Sequence, residues 1–345
     1  MFDHPSFDAH EGVHTFHDGQ SGLKAIIAIH STKLGPAAGG CRMWNYDSGE
    51  AMLYDALRLS QGMSYKNAMA GLPLGGGKAV IWGDARADKH PDLFRAFGRA
   101  VESLQGKYWT AEDVGLSPGD LAEAAEETKY AAGLESGKAA SGDPSPVTAL
   151  GVYRGIQETA KRAFGSDDLN GKRVAVQGVG SVGSDVCRHL AKAGASLIIT
   201  DVDEAALEKV VSETGAKIVA PDDIYDQPMD IFSPNALGAT INETTLPRLS
   251  AKVIAGGANN QLVTPDMGER VREAGILYAP DYVINGGGII NVAAEISGNY
   301  SREWVDEKLD TLVGTLGDLL DRALSEGIPT SVIADRIAKE RIGRA

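Results

Sequence analysis

Two lysines flank a glycine-rich segment in the first third of the chain. Lys66 and Lys78 lie on either side of the triplet 75–77, which reads Gly-Gly-Gly. Glycine has no Cβ, so this segment lets the backbone approach a ligand or another part of the chain closely. One lysine of such a pair can stay charged and hold a carboxylate, whereas the other, desolvated and repelled by the first, can lose its proton and act as a base. The spacing is consistent with a site for an anionic substrate, although a solvated surface loop would show the same residues.

The segment does not match a phosphate-binding P-loop. That pattern needs a glycine six residues before the lysine and a serine or threonine directly after it. Leu72 and Ala79 occupy these two positions. The function of the lysines must therefore be decided by the rest of the chain.

Length and composition narrow the classes of protein. A chain of 345 residues suits two domains, and 43% hydrophobic with 23% charged residues is typical of a globular protein. The formal net charge of −14, with a pI of about 5.0, argues against nucleic-acid and anionic membrane partners. Two distant cysteines, Cys41 and Cys187, and the absence of an apolar leader predict a reducing, cytoplasmic location. The histidine and cysteine spacing predicts no metal site.

The order of apolar and turn residues predicts two α/β domains. A small-residue stretch, 136–146, reads as a linker, so we expect a substrate-binding and oligomerisation domain over 1–141 and a nucleotide-binding domain over 142–325. In the first domain the pattern predicts strands at 23–30 and 78–82, a short strand or turn at 108–113, helices at 51–63, 91–104 and 117–130, and loops at 35–40 and 75–77. In the second it predicts helices at 146–164, 181–193 and 204–214 and strands at 173–177, 197–200, 217–219, 229–232 and 253–255.

A dinucleotide-binding fingerprint follows the first strand of the second domain. Gly178, Gly180 and Gly183 form the pattern G-x-G-x-x-G between a strand and a helix, the context that this motif requires. Asp201 ends the next strand, 23 positions after Gly178. An acid at about this distance is suited to a ribose hydroxyl and repels a 2′-phosphate, so the sequence favours NAD over NADP. A nucleotide-free turn of the flavodoxin type is the alternative.

Seven motifs together resemble the Glu/Leu/Phe/Val amino-acid dehydrogenases, particularly the leucine and phenylalanine branch. The resemblance covers nearly the whole chain from about residue 24, and its motifs lie at 35–43, 66–78, 110–115, 178–183, 236–238, 258–261 and 279–285. It implies a substrate domain followed by a Rossmann domain, separated by a cleft, with a C-terminal helix over 326–345 returning to the first domain. It also implies a homo-oligomer that converts an L-amino acid and NAD to a 2-oxo acid, ammonia and NADH.

The resemblance also implies roles for individual residues. Lys78 and Asp113 match the catalytic pair, and Lys66 matches the lysine that binds the substrate carboxylate. We expect Asp113 to have a lysine as its partner. The other implied substrate-binding residues are Gly39, Gly40, Met63, Ala38, Ala111, Asn260, Ile289 and Val292. The implied cofactor-binding residues are Gly178, Gly180, Ser181, Val182, Gly183, Asp201, Val202, Ala236, Asn260 and Asn285.

The implied side-chain pocket is apolar throughout. Relatives with acidic substrates carry a lysine where this chain has Ala38, and a buried second carboxylate without a partner costs several kcal/mol, so glutamate is a poor substrate candidate. We therefore expect a neutral apolar amino acid of the leucine or valine class. Phenylalanine or another aromatic amino acid remains the alternative, because one methylene is worth only about 1–3 kcal/mol of discrimination.

Two other functions would use part of the same sequence. A non-catalytic NAD or metabolite-binding protein would explain the glycine fingerprint but would leave Lys66, Lys78 and Asp113 without a purpose. A hydroxy-acid dehydrogenase normally needs a histidine base near an arginine. His30, at the end of a predicted strand, is better interpreted as structural.

Overall fold

The computed structural model describes residues 1–134, 143–298 and 300–344. The predicted boundary between residues 141 and 142 lies outside the described residues. By its internal contacts the chain divides into two compact units. Unit 1 comprises Met1–Asp143, Ile289–Val305 and Ala338–Ala345, and unit 2 comprises Pro144–Gly288 and Asp306–Ile337.

Unit 1 is built on a five-stranded sheet with the order β1-β2-β4-β3-β5. β1 and β2 run antiparallel to their neighbours, whereas β3, β4 and β5 are parallel, so the carboxyl ends of these three strands meet at one edge. The elements are β1 (Gly12–Asp18), β2 (Leu23–Ser31), β3 (Ala37–Trp44), α1 (Gly49–Met69), β4 (Gly75–Trp82), α2 (Pro91–Ser103), β5 (Tyr108–Glu112) and α3 (Pro118–Ala125).

Two segments that the sequence assigns to loops are strands. The expected bend at 75–77 is the first part of β4, and most of the expected loop at 35–40 belongs to β3. Both predictions were wrong because glycine is depleted in strands and reads as a turn residue. Here glycine is used for close approach. A Cβ on Gly76 would lie 2.0 Å from the backbone nitrogen of Ser64 in α1, and one on Gly39 would lie 1.9 Å from the carbonyl oxygen of Gly77.

Helix α1 is longer than the sequence pattern indicates. The Ser48 side chain caps its first turn by accepting the backbone N–H of Ala51 at 3.1 Å, and the helix continues to Met69 instead of ending at Met63. Lys66 therefore lies in the last turn of a helix. Helix α1 packs on the glycines of β4, which have no side chains. The two lysines of the motif therefore lie on neighbouring elements, Lys66 on α1 and Lys78 on β4.

Unit 2 contains the doubly wound sheet that the fingerprint predicts. Six parallel strands have the order β11-β10-β9-β6-β7-β8, which is the Rossmann order. The expected strand at 229–232 is displaced to Ile231–Pro234. The elements are α4 (Ser145–Phe164), β6 (Arg173–Gln177), α5 (Ser181–Lys192), β7 (Ser196–Thr200), α6 (Glu204–Thr214), β8 (Lys217–Ile218), β9 (Ile231–Pro234), β10 (Val253–Ile254), α7 (Met267–Glu273), β11 (Leu277–Tyr278) and α8 (Asp281–Ile284).

Three further helices complete the described chain, namely α9 (Gly287–Ile296), α10 (Arg302–Glu326) and α11 (Thr330–Arg341). Two arginines at and after the end of α11 bind other parts of unit 1. Arg341 donates to the carbonyl oxygens of Ala68, at 2.8 Å, and Met69, at 3.2 Å, at the carboxyl end of α1. Arg344 donates to the His30 carbonyl oxygen at 2.6 Å. The Arg341 cation thus satisfies the last carbonyl groups of α1 and interacts favourably with the dipole of that helix.

A buried histidine pair lies between these arginine contacts and the N-terminal residues. The rings of His10 and His30 are 4.8 Å apart, and His30 Nδ1 is 2.7 Å from Ser64 Oγ. His30 Nε2 lies 2.6 Å from Arg344 Nη1 and 3.1 Å from Asp8 Oδ2. The structural interpretation of His30 agrees with these contacts.

This pair should make unit 1 sensitive to mild acid. Burial and the charge of Arg344 lower the pKa of His30 from 6.5 to about 4. As the pH falls from 6.5 towards about 4, the unfolded chain binds a proton that the folded chain does not. The free energy of unfolding should therefore fall by about 1.4 kcal/mol per pH unit, or about 3 kcal/mol in total. Urea unfolding between neutral pH and about pH 5 measures this slope. The His30→Asn and Arg344→Gln variants should show a shallower slope, and an unchanged slope in both would contradict the prediction.

Among residues 1–134, 143–298 and 300–344, no helix has both the length and the apolar character needed to cross a membrane.

Candidate active site

A buried ion pair joins Lys78 to Asp113. Lys78 lies in the middle of β4, and Asp113 directly follows β5, one strand beyond β3 in the same parallel set. Lys78 Nζ is 2.6 Å from Asp113 Oδ2, and only 6% of the lysine side chain is exposed. As the sequence predicts, the aspartate finds a lysine partner. A short contact between an amine and a carboxylate in a nearly water-free position provides a direct path for a proton.

Arg42 on β3 binds the same carboxylate oxygen. Its Nε donates to Asp113 Oδ2 at 3.2 Å, and its Nη1 is 3.0 Å from Asp55 Oδ2 on α1. Burial alone would raise the pKa of Asp113, but the charges of Lys78 and Arg42 outweigh it and hold that pKa below its usual value. Asp113 is therefore a stable anion between two cations.

The two glycines of β3 leave space for the functional side chains. In the sheet Gly39 is paired with Thr110 and Gly40 with Ala111. A Cβ on Gly39 would lie 3.0 Å from Met63 Cγ, and a Cβ on Gly40 would lie 2.8 Å from Asp113 Cβ. The structure thus brings Gly39 together with Met63, and Gly40 together with Asp113.

The other predicted substrate residues of unit 1 lie on four elements. Lys66 is half-buried in the last turn of α1, and Met63 is half-buried one turn before it. Ala38 and Ala111 are buried on β3 and β5, where 1% and 7% of their surfaces are exposed. Ile289 is buried and Val292 half-buried on α9. Apart from Lys66, these side chains are apolar, as the expected pocket requires.

In unit 2 the glycine fingerprint has the geometry that a pyrophosphate requires. Gly178 has a φ of +92°, which favours glycine, and a Cβ on Gly183 would lie 2.0 Å from the Gly178 carbonyl oxygen. Gly180 is the N-cap of α5 and has open space where a side chain would be. Ser181 and Val182 form the first turn of α5, and the unpaired N–H groups there favour an anion.

The Asp201 carboxylate holds the fingerprint loop through backbone N–H groups. Its Oδ2 accepts the backbone N–H of Val179 at 2.7 Å, and its Oδ1 accepts those of Val202 at 2.7 Å and Asp203 at 3.0 Å. A carboxylate has about four lone-pair sites, so one remains for a hydroxyl donor. Val202 next to it is 89% exposed.

Two asparagines and one alanine occupy the remaining predicted cofactor positions. Asn260 is exposed and has a φ of +51°, a left-handed conformation that asparagine adopts more readily than most residues. Asn285 donates from Nδ2 to Asn259 Oδ1 at 2.7 Å, while its buried Oδ1 has no hydrogen-bond partner within the described chain. Ala236 packs against the fingerprint, since a Cβ on Gly178 would lie 2.7 Å from it. Together with α5, these features fit a bound dinucleotide.

Sequence reasoning assigned no role to Arg42, Asp55, Tyr46 or Asn259. Arg42 lies inside the motif at 35–43 and Asn259 inside the motif at 258–261, but neither motif indicates the partner of these residues. Asp55 and Tyr46 carry no local signal, because only the packing of α1 on the sheet brings Asp55 to Arg42 and to the Tyr46 hydroxyl.

Comparisons with known proteins place the chain among amino-acid dehydrogenases. Residues 10–130 match the family model described as Glu/Leu/Phe/Val dehydrogenase, dimerisation domain, and residues 141–207 and 197–327 match Glutamate/Leucine/Phenylalanine/Valine dehydrogenase. A leucine dehydrogenase from Bacillus subtilis (strain 168) is 55% identical over 95% of this chain and 90% of its own length. A phenylalanine dehydrogenase from Bacillus thermotolerans is 45% identical over 96% of this chain and 88% of its own length.

Solved structures agree with the sequence relatives. The crystal structure of L-tryptophan dehydrogenase from Nostoc punctiforme has a TM-score of 0.87 and 44% identity, and the match covers 97% of this chain and 96% of the other. A hetero-hexameric glutamate dehydrogenase from Thermus thermophilus, at 22% identity, 96% and 88% coverage and a TM-score of 0.76, shares the fold. With both family models and a relative of 55% identity matched along nearly its whole length, this chain belongs to the Glu/Leu/Phe/Val dehydrogenase family and is an amino-acid dehydrogenase.

Proposed function

We propose that this protein catalyses the NAD-dependent oxidative deamination of a neutral apolar L-amino acid of the leucine or valine class. The products are the 2-oxo acid, ammonia and NADH. The observation that carries the proposal is the contact of 2.6 Å between Lys78 Nζ and Asp113 Oδ2, on a lysine side chain that is 6% exposed. Such a pair moves protons, and the reaction needs protons to be moved at two atoms of the substrate.

Lys66 and the glycines of β3 hold the amino acid in this proposal. The Lys66 ammonium, half-buried in the last turn of α1, binds the α-carboxylate. Gly39 and Gly40 present backbone without side chains, so the substrate can lie close to β3. These contacts orient the Cα and the amino group without taking part in the bond changes, a contribution that acts through proximity.

Lys78 and Asp113 carry the proton steps. Once Cα has lost its hydride, the substrate is an iminium ion that water attacks at Cα. Lys78, as the free amine, takes the proton that this water loses. The product of this attack is a carbinolamine, and Asp113 relays the proton held by the Lys78 ammonium to its nitrogen. The C–N bond then breaks, the carbinolamine hydroxyl gives its proton to Lys78, and ammonia and the 2-oxo acid leave. Each role of this kind is typically worth about 10²–10⁴ in rate.

NAD is the cofactor that the residues of unit 2 favour. When bound, it supplies the acceptor for the hydride of Cα. The N-terminus of α5 and Gly180 hold the pyrophosphate, and Asp201 accepts a ribose hydroxyl. Asn260 and Asn285 bind at the nicotinamide end, where the unpartnered Oδ1 of Asn285 can accept an amide N–H. The charge of Asp201 would repel the additional phosphate of NADP.

The side-chain preference follows from the apolar residues of unit 1. Ala38, Ala111 and Ile289 are buried, so these positions offer no partner to a charged side chain. Leucine dehydrogenases at 52–55% identity support an aliphatic substrate. The alternative, an aromatic amino acid, is supported by the small Ala38 side chain and by the tryptophan and phenylalanine dehydrogenases at 44–45% identity.

A panel of amino acids tests the function. With NAD, leucine, isoleucine and valine should give kcat/KM values at least tenfold above those of phenylalanine and tryptophan, with glutamate inactive, because the difference is worth about 1–3 kcal/mol. Leucine with NADP should also be at least about tenfold poorer than leucine with NAD, because of Asp201. NADH absorbance is the measurement. Higher values for the aromatic substrates would select the alternative, and no NADH with any amino acid would point to a non-catalytic binding protein.

We also place this chain in a cytoplasmic homo-oligomer assembled through unit 1. The description of the model matched by residues 10–130 as a dimerisation domain supports this assembly. Two free cysteines, both buried, are compatible with a reducing compartment. Light scattering of the purified protein should give a mass of at least twice 36.2 kDa, and a monomer mass would contradict the assembly.

A further inference from the structure

An alternating row of charges extends in unit 1 from Lys78 on β4 to Asp55 on α1. Lys78 Nζ and Arg42 Nε bind the same oxygen of Asp113, at 2.6 and 3.2 Å. Arg42 Nη1 in turn lies 3.0 Å from Asp55 Oδ2 and 3.3 Å from Asp55 Oδ1. The row ends at Tyr46, whose hydroxyl donates to Asp55 Oδ2 at 2.7 Å.

The members of this row are too buried to act as ordinary surface charges. The exposed fraction of the side chains is 6% for Lys78, 24% for Arg42, 23% for Asp55 and 25% for Asp113. Water screens such charges weakly, so each affects the proton affinity of its neighbours more than it would at the surface. Burial alone would lower the pKa of Arg42, but Asp113 and Asp55 raise it above its usual value. Arg42 therefore stays charged while its neighbours exchange protons.

We propose that Arg42 is a positioning residue that, held in place by Asp55, determines how tightly Asp113 binds the protonated amine of Lys78. The two cations compete for one oxygen, so a stronger bond from Arg42 weakens the bond to Lys78. Asp55 attracts the guanidinium of Arg42 away from Asp113. Arg42 and Asp55 therefore have opposite effects on how tightly Lys78 holds its proton. The catalytic consequence rests on the proposed function, in which Lys78 must lose that proton to act as a base.

Other groups near Lys78 do not offer the same control. On β3 and β5, burial raises the pKa of the Cys41 thiol and of the Tyr108 hydroxyl well above their usual values, so both are neutral. On β2 the residue paired with Lys78 is Ala28. Helix α1, which packs against β4, carries four charged residues. Glu50 and Arg58 are exposed and contact His4 and Tyr54. Asp55 is already in the row, and Lys66 is assigned to the substrate.

Two variants should move the proton of Lys78 in opposite directions. Arg42→Gln removes a nearby positive charge and leaves Asp113 to Lys78 alone, so the amine should lose its proton about one pH unit higher. Asp55→Asn releases Arg42 to bind Asp113 fully, so the amine should lose its proton about half a pH unit lower. Tyr46→Phe, which removes only the hydroxyl at the end of the row, should change the midpoint by less than either.

Trace labelling with acetic anhydride across a pH series, read as the acetylation of the Lys78 peptide by mass spectrometry, measures this midpoint without requiring activity. Lys89, whose Nζ is 2.5 Å from Asp120 Oδ2, is an ion-paired lysine elsewhere in unit 1 and serves as an internal control in every sample. Its midpoint should stay unchanged in all three variants. The pH dependence of kcat with leucine and NAD is recorded on the same proteins.

The outcomes separate the inference from the proposed function. Opposite shifts of the Lys78 labelling midpoint, with matching shifts in the pH at which kcat rises, support the inference and the proposed function. Opposite labelling shifts with an unmoved kcat profile support the role of Arg42 but remove Lys78 as the base. Midpoints that do not move, or that move in the same direction in Arg42→Gln and Asp55→Asn, overturn the inference. If Arg42→Gln does not fold, Arg42→Lys, which keeps the charge but not the planar fork, should show a smaller upward shift.

Discussion

Replacing Lys78 by methionine should lower kcat with leucine and NAD by roughly 10³-fold while leaving NADH binding unchanged. Methionine keeps much of the length of the lysine side chain in a position where only 6% of that side chain is exposed, but it cannot accept a proton. Asp113 would still be paired with Arg42 at 3.2 Å, so the substitution does not leave an isolated buried charge. Stopped-flow or steady-state NADH absorbance measures the rate, and NADH fluorescence measures binding.

Lys89→Met provides the matched control for this prediction. Lys89 forms an ion pair with Asp120 at 2.5 Å and its side chain is 26% exposed, but it has no part in the proposed chemistry. This variant should keep kcat within about twofold of the parent, because Lys89 does not take part in the reaction. Its fold should also be retained, since exposed and half-exposed ion pairs contribute only about 0–1 kcal/mol to the free energy of unfolding. Turnover in Lys78→Met close to that of Lys89→Met would show that Lys78 is not the base.

Replacing Gly76 by alanine should destabilise unit 1 by about 3 kcal/mol or more. The added Cβ would lie 2.0 Å from the backbone nitrogen of Ser64 and 2.4 Å from its Cα, distances that real Cβ atoms do not show. The contact is with backbone, so no side-chain rotation relieves it, and α1 must move away from β4. Because α1 carries Met63 and Lys66, the KM for leucine should rise as well. Urea unfolding and steady-state kinetics measure the two effects.

Gly62→Ala tests whether this cost comes from the contact or from the residue type. Gly62 lies on the same helix, and a Cβ there would meet nothing within 4 Å. Alanine favours a helix over glycine by about 0.5–1 kcal/mol, so this variant should be slightly more stable than the parent. Equal stabilities for the two variants would mean that α1 does not rest on the bare backbone of β4.

The fold of unit 2 was easier to predict from the sequence than that of unit 1. The strand, glycine fingerprint and helix from Arg173 to Lys192 follow each other directly in the chain, so their pattern is local and predicts both elements. The displaced strand β9 shows the limit, since its bounds at Ile231–Pro234 are set by pairing with β6 and β10. Strand β1 also went unpredicted, because its half-exposed edge position gives no continuous apolar run.

In the candidate site, the residue types and the lysine partner of Asp113 were predictable, whereas the other partners were not. The motif at 66–78 placed two lysines near glycines, and the motif at 110–115 supplied Asp113. The prediction that lysine repulsion would free one amine was drawn from sequence proximity. The neighbour that the structure places against Lys78 is instead the carboxylate of Asp113, 35 residues away in the chain.

The chain of amino acids alone determined the family, the two α/β units and the residue types available for chemistry, because motifs and hydrophobic periods are properties of short stretches. Tertiary packing decided that the glycines at 39–40 and 75–77 lie in strands rather than loops. It also decided that Arg42 binds Asp113 and is itself bound by Asp55. A missing Cβ is informative only when the atom that would collide with it is known. A buried charge likewise has a defined proton affinity only when every charge around it has been placed.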